Sequence, residues 1–378
     1  MQDTYSGSSI TIAAADAADA SVGCFFPNAD SKLGKTSAFF TIGNLGGDLG
    51  TIVRVQPQDI RTSAGNSVLN TRGWVLQEMV LSRRTAHFMR SGLYWECDSE
   101  CRTETGFVFD RSAIHDSSVP TLPHDIQVGA NKTWWRWMES YSRRRFSFPK
   151  DRLPAMSGIV RHYQMTTKDV PILGLWERSF HQDLMWVRIN KLVEGADPTP
   201  HHLSNIPSWT WLSCPHEICF DLWRSRDGDE PHLDIHDHLK LVEWEVVWTS
   251  EPLTSEVKST RLIVEGPVQE IVLSISPSGK AFNPPYLNVG DEEPDFGKGP
   301  FPWRCAGQFD DRLRISPTQY LCLLLRPRVY KNKELMKETF LILEPCSGTN
   351  AYRRVGIGNF FDKSRSFDLT VRRTLHLV

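Results

Sequence analysis

Apolar residues recur at helical spacing through the middle of the chain and crowd into strand-like runs in its last third. In 134–146, Trp134, Trp137, Met138 and Tyr141 fall on one side of a helix, with Arg136, Glu139, Arg143 and Arg144 opposite. The period continues through Leu153, Met156, Ile159, Val160 and Tyr163. It predicts a second helix with Asp151 as N-cap and Pro154 in the first turn, where a missing N–H costs little. A third helix is expected over 176–187. Beyond Asn205, runs rich in Val, Ile, Trp and Thr predict strands at 239–249, 261–264, 268–274, 320–325, 340–343 and 353–360. Helices followed by strands favour two layers or subdomains over one doubly wound sheet.

Three breaks interrupt this pattern. The first is Gly43–Gly50 with the polar stretch through Asn66, read as loops around a short strand at 51–55. The second is GADPTPHHLSN, from Gly195 to Asn205. The third, from Ser276 to Gly299, is rich in Pro and Gly and reads as a long surface excursion.

Composition narrows the picture only a little. The chain has 378 residues, 40% hydrophobic and 23% charged, with a formal net charge of −2. These values suit a globular protein and give no electrostatic reason to expect nucleic acid or a membrane surface as partner. Thirteen tryptophans imply large aromatic cores, or aromatic patches kept for a partner. The N-terminal run lacks a basic region and is interrupted by Asp16 and Asp19, unlike a signal peptide. No apolar run approaches the roughly 20 residues of a membrane span. Eight cysteines scattered along the chain read as reduced thiols, and the expected location is the cytoplasm.

The most informative stretch is NTRGWVLQEMVLSRRTAHFMRSGLYWEC, from Asn70 to Cys97. Asn70 or Thr71 caps a short helix whose apolar positions Trp74, Val75, Leu76, Met79, Val80 and Leu81 go nearly all the way round. The pair Gln77-Glu78 is awkward there, because a carboxylate in such a setting is costly unless paired. Arg72, Arg83 and Arg84 are the nearby candidates. A hairpin follows, 84–89 and 93–96, with Ser91-Gly92 as its two-residue connection.

RGWVLQEMVLSRR with a downstream LYWEC resembles a signature block of the fungal heterokaryon-incompatibility (HET) domain, usually RGWTLQE-x-LLS followed by YWEC. The residues that carry it here are Arg72, Gly73, Trp74, Leu76, Gln77, Glu78, Leu81, Ser82, Tyr94, Trp95, Glu96 and Cys97. Three further blocks agree in order and spacing. They are the opening MQDTYSGSSITIAAADAADASVGCF, then WMESYSRRRFSFPKDRLPAMSGI, then LGLWERSFHQDLMW with IPSWTWLSC. Together they cover roughly residues 1–214. The remainder, 215–378, is similar to the variable region often appended in such proteins.

The family's opening ALSYVWG-like and CInQ-like blocks have no counterpart in this sequence. The resemblance therefore implies a chain that starts in mid-domain, through a gene-model error, an alternative start or a truncated paralogue. It also implies a fold: an α/β, incomplete TIR-like HET domain with a helix-rich second half, then a β-rich C-terminal region. Without its first strands such a sheet would expose an edge and an apolar face. The function implied is self/non-self recognition and regulated cell death through protein partners, homotypic self-association among them. No cofactor is called for. A TIR-like NAD hydrolase is the alternative, with Glu78 as its candidate catalytic residue, and an inactive remnant is a third reading.

Each candidate also has a plainer account. Glu78 can be a functional carboxylate with a raised pKa or a structural ion-pair partner. Trp74 and Trp95 read as core before ligand stacking. Cys97-x3-Cys101 and Cys214-x4-Cys219 lack zinc-site spacing. His232-x3-His236-x-His238 lies in a polar loop where solvated side chains are the default, so no metal is expected. Arg143-Arg144-Arg145 could grip phosphate, but arginines on an outer helix face are usually solvated.

Overall fold

The computed structural model describes residues 2–25, 38–42, 51–55, 67–90, 92–97, 99–104, 106, 108–109, 123–189, 205–220, 233–234, 238–275, 287–290, 305–310, 316–330 and 335–378. The chain divides into two compact units, Met1–Ser147 and Phe148–Val378. The compositional boundary expected at 214/215 lies inside the second, where strand Trp186–Arg188 pairs with Ile218–Phe220 across it.

The first unit opens with helix α1 (Gln2–Ser6) and strand β1 (Thr11–Ala14). Strands β2 (Ala38–Ile42) and β3 (Thr51–Val55) form a separate hairpin. Helix α2 (Val75–Leu81) then leads into β4 (Arg84–Met89), β5 (Gly92–Cys97), β6 (Cys101–Thr103) and β7 (Val108–Phe109). Their sheet has the order β1-β4-β5-β6-β7. Only β1 and β4 are parallel; each later pair is antiparallel. Gly92 pairs with Met89, so β5 starts one residue earlier than the expected Ser91-Gly92 connection allowed. Helix α3 (Pro123–Ser142) rests against α2. Its predicted stripe is buried, with Trp134, Trp137, Met138 and Tyr141 at most 1% exposed, but the face expected to be polar is not solvated: Trp135 and Glu139 are buried too.

The arginines after it overturn their expectation. The helix ends at Ser142, so Arg143–Arg145 do not share an outer helical face, and Arg144 turns inward to 5% exposure.

The second unit begins with a 3-10 turn (Pro149–Arg152) and helix α4 (Pro154–Thr167). Asp151 sits in the turn, and the N-cap is Leu153, with Pro154 opening the helix where its lost N–H is harmless. The third expected helix shrinks to four residues, with turns on both sides and a short strand at each end. Strands β8 (Pro171–Ile172) and β9 (Leu175–Trp176) form a tight hairpin, and only α5 (Phe180–Asp183) is helical before β10 (Trp186–Arg188). The hairpin turns on Leu173 and Gly174, both at positive φ (44° and 89°), the pattern of a two-residue turn matched to strand twist. A Cβ on Gly174 would stand 2.8 Å from the Trp211 ring nitrogen. That nitrogen donates to the Gly174 carbonyl, so the glycine serves both the turn and a close approach.

Most strands of this unit join one nine-stranded sheet: β12 (Leu233–Asp234), β13 (Lys240–Trp248), β14 (Val257–Ile275), β15 (Leu287–Val289), β16 (Cys305–Phe309), β17 (Thr318–Tyr330), β18 (Leu335–Pro345), β19 (Ala351–Asp362) and β20 (Arg372–Leu377). Among the described residues strand β11 (Ile218–Phe220) pairs only with β10. The two strands expected at 261–264 and 268–274 are one 19-residue strand, β14. Gly266-Pro267 does not end it, because the partner changes there. Residues Leu262–Pro267 pair with β20, and Val268–Leu273 pair with β17. A proline is tolerated where one ladder stops and another starts.

Pairings β14–β17, β17–β18, β18–β19, β19–β20 and β20–β14 then close a circuit around a core that includes Leu273, Cys322, Leu324, Phe340 and Ile342. The apolar run Tyr320–Leu325 lies in β17, none of it more than 5% exposed. Strands β16 and β20 were not foreseen. Among the described residues no helix is long and apolar enough to cross a membrane.

Candidate functional site

The signature block folds as one continuous helix-to-hairpin piece. Its opening turn, Leu69–Thr71, runs beside the segment that leaves α3. The Gly73 N–H donates to the Arg145 carbonyl at 2.9 Å and the Arg145 N–H donates to the Thr71 carbonyl at 2.7 Å. A Cβ on Gly73 would lie 2.0 Å from the Phe146 ring, so the glycine of the Arg-Gly-Trp triplet is where that ring sits down. Trp74 is the N-cap of α2, and Leu76, Gln77 and Leu81 are buried along it. At its end the Ser82 hydroxyl lies 2.6 Å from the Glu78 carbonyl, to which it donates, and 2.7 Å from the Thr11 hydroxyl, tying helix to β1.

In the hairpin, Tyr94 and Glu96 are buried, while Trp74 and Trp95 are half-buried and not full members of the core. Cys97 stays half-buried. Burial raises its thiol, but the Ser99 hydroxyl and the Ser99 and Glu100 backbone outweigh that and bring it below its ordinary value.

Glu78 points into a cavity of about 330 Å³ between α1, α2 and the β1–β4 pair. The walls are mostly apolar: Ile12, Ala13–Ala15, Leu69, Val75, Met79 and Met89, with Thr11, Ser67, Asn70 and Thr85 interspersed. A concave, apolar lining with a few converging polar groups is the usual form of a small-molecule site. Burial raises the Glu78 carboxyl above its ordinary pKa. The Tyr5 hydroxyl, which donates to it, and the charges of Arg72 and Arg144 act in the opposite sense. Burial, then Glu78 itself, raises the Tyr5 hydroxyl in turn. Of the three expected partners Arg72 acts on Glu78, joined by Arg144, while Arg83 and Arg84 are exposed.

Arg144 donates to the Asn70 side-chain carbonyl at 2.6 Å and the Arg72 carbonyl at 3.3 Å. Burial, the largest influence, brings its pKa down to about 10.

The opposite wall carries a second polar pair that sequence reasoning missed. His87 Nε2 and Glu96 Oε2 are 2.9 Å apart, and both residues are buried, at 7% and 4% exposure. Of the two, His87 lines the cavity. The available signal was a histidine inside an apolar strand, with an acidic residue on the neighbouring strand within diagonal reach. The cavity is thus lined by the Glu78–Tyr5 pair and by His87, whose partner Glu96 lies outside the lining. That is the equipment of general acid–base chemistry, provided a substrate reaches both.

The Glu78 shift has a thermodynamic consequence. Its folded pKa lies above the unfolded value, so the stability the protonated form contributes is complete below the unfolded pKa. It is lost as pH rises through the folded pKa. Glu78→Gln, which keeps an acceptor for Tyr5 but cannot ionise, should melt with wild type near pH 4 and above it at pH 7. Paired thermal melts at the two pH values check this; an equal offset at both would show that Glu78 does not titrate with folding.

Among the described residues no group of three His, Cys, Asp or Glu side chains is placed to hold a metal ion. His232 and His236 lie outside the described residues. The tryptophans of the tail block, Trp176, Trp186, Trp209 and Trp211, are at most 1% exposed in the second unit and serve its core. No family model matches the chain, no curated protein matches it, and no solved structure matches it.

Proposed function

We propose that this is a heterokaryon-incompatibility-like protein of the fungal cytoplasm, acting in self/non-self recognition and regulated cell death by protein–protein assembly. One observation carries the reading. The residues that resemble the HET signature fall in a single folded piece and are used largely for its architecture: a glycine under a ring, a buried Leu-Gln pair, and a serine tying helix to strand. Motif residues spent on shape suit a module that presents a surface. In this reading the first unit is an incomplete TIR-like HET domain, supported by the parallel β1–β4 pair with α2 against it. The β-rich region senses or scaffolds.

The reading is tested by expressing the chain in fungal cells beside a Gly73→Ala variant and scoring viability and growth arrest. Death that needs the intact signature is expected. A chain that leaves every tested strain fully viable would sink the reading.

A second reading, a TIR-like nucleotide hydrolase, is favoured by the Glu78 cavity with Tyr5 and His87 around it. It expects nicotinamide release from NAD by the purified chain, reduced at least a hundredfold in Glu78→Gln. Absence of any release by wild type would remove it.

A further inference from the structure

Apart from the branch strands β15 and β16, which each pair with one neighbour in the nine-stranded sheet, the two large sheets run between four end strands, and three of those four ends carry recognised protection against pairing with another chain. Strands β7 and β12 are two residues long. Strand β13 is nine residues long, but it carries Lys240, Glu243 and Glu245, and its pairing with β14 is broken by two register shifts. Strand β1 has none of these devices. It contains no charge and no proline, and its pairing with β4 runs without a shift from Thr11 to Ala14. It is also parallel to its neighbour, and parallel strands are normally covered on both faces and flanks. Among the described residues no strand lies on its outer edge.

The side chains around it point the same way. Ile12 is 63% exposed and Ile10 45%. Phe25, 83% exposed, lies edge-on to the Phe88 ring on the neighbouring strand. Among the described residues twelve large hydrophobic residues are exposed, and four of them (Ile10, Ile12, Val22 and Phe25) fall within the first 25 residues.

We propose that β1 is a homotypic interface: two copies of the chain join antiparallel, β1 to β1, about a two-fold axis at Ile12. The sequence is self-complementary in that register. Ile12 faces Ile12 of the second copy, Thr11 faces Ala13, and Ile10 faces Ala14, so each larger flanking side chain meets a small one. No like charges are opposed, which an antiparallel pair cannot tolerate at facing positions. The two five-stranded sheets become one continuous sheet, and the two-fold axis closes the assembly at a dimer. The surface gives the assembly reading above a location and rests on that reading for its biological meaning.

Sedimentation velocity of the full chain across the micromolar range should show a dimer. Ile12→Lys, a change on an exposed side chain, should be monomeric with unchanged circular dichroism and melting. In mild oxidant Ile12→Cys should yield a disulfide-linked dimer, since facing Cβ atoms lie about 4.5–5.5 Å apart. Wild type and Val242→Cys, on the protected β13, should give none above background. A monomeric wild type, open-ended oligomers, or a dimer indifferent to Ile12→Lys would overturn the proposal. In the cell assay, a monomeric Ile12→Lys that still kills would overturn it while leaving the HET-like reading standing. A β1 dimer that never kills would do the reverse.

Discussion

Arg354→Met should destabilise the second unit by about 3–5 kcal/mol, the cost of breaking an ion pair whose arginine is fully buried and leaving its carboxylate and carbonyl partners unpaired. On a domain of this size that lowers the melting temperature by roughly 6–20 °C. The Arg354 side chain is fully buried, and every face of the guanidinium is used. Nε donates to Asp310 Oδ2 at 3.1 Å, Nη1 to the Leu184 carbonyl at 2.7 Å, and Nη2 to the Trp186 carbonyl at 2.5 Å. The plane lies over the Trp186 ring, 3.5 Å from its centroid. Burial lowers its pKa, and Asp310 works against that.

Methionine fills similar volume but abandons one carboxylate and two carbonyls at once. It also loosens the attachment of the Leu184–Trp186 segment to β19. Lysine keeps the charge but not the fork, so Arg354→Lys should lose an intermediate amount. Denaturant titration of the three proteins checks the order. A Met variant within about 1 kcal/mol of wild type, the range of a surface ion pair, would show that the arginine is not what fixes this segment.

The second large effect belongs to Gly73. Alanine there puts a methyl group inside the Phe146 ring, 2.0 Å from its nearest carbon. The ring cannot slide away freely. It is 9% exposed and held edge-on by Tyr141, with centroids 5.4 Å apart. Overpacking of this kind costs about 1–3 kcal/mol. The backbone bond from Gly73 to Arg145, which joins the signature block to the end of α3, would be strained with it. Because the clash has one named partner, it can be isolated. In a Phe146→Leu background, Gly73→Ala should cost much less, giving a coupling term of the sign opposite to the single losses. Additive losses would mean that the glycine is needed for something other than room for the ring.

The sequence made these elements legible to different depths. The α3 stripe and the β4–β5 hairpin were plain, because their periods of 3.6 and 2 are set locally. So was the awkwardness of Glu78, since a carboxylate on a helix apolar all round must either find partners or keep its proton. Which partners it finds was not legible. Arg144 is remote in sequence from Glu78, and it turns inward only because the helix stops at Ser142. The expected helix over 176–187 failed for a related reason. Asp183 accepts from the Trp176 N–H and the Ser179 hydroxyl. That capture fixes a turn between two short strands in place of a continuous helix. Gly266-Pro267 looked like a terminus because the change of partner along β14 is a property of the whole sheet. His87 was missed because a lone histidine in a strand carries no local pattern; only the register with β5 sets it beside Glu96.

The closed circuit of strands also constrains how the second unit is made. Leu262 pairs with Leu377 and Val264 with Leu375, more than a hundred residues downstream. At ordinary translation speed the ribosome needs on the order of ten seconds to cover that distance. For that interval one flank of β14 has β13 and the other has nothing, with Leu262 and Val264 still waiting for the cover that leaves them 0% exposed. Pairings this distant also carry the largest loop-closure entropy, so closure is slow even after β20 has emerged. The nascent β-rich unit therefore spends its early life as an open sheet in need of shelter, and a chaperone that binds extended apolar strands is the natural provider of it.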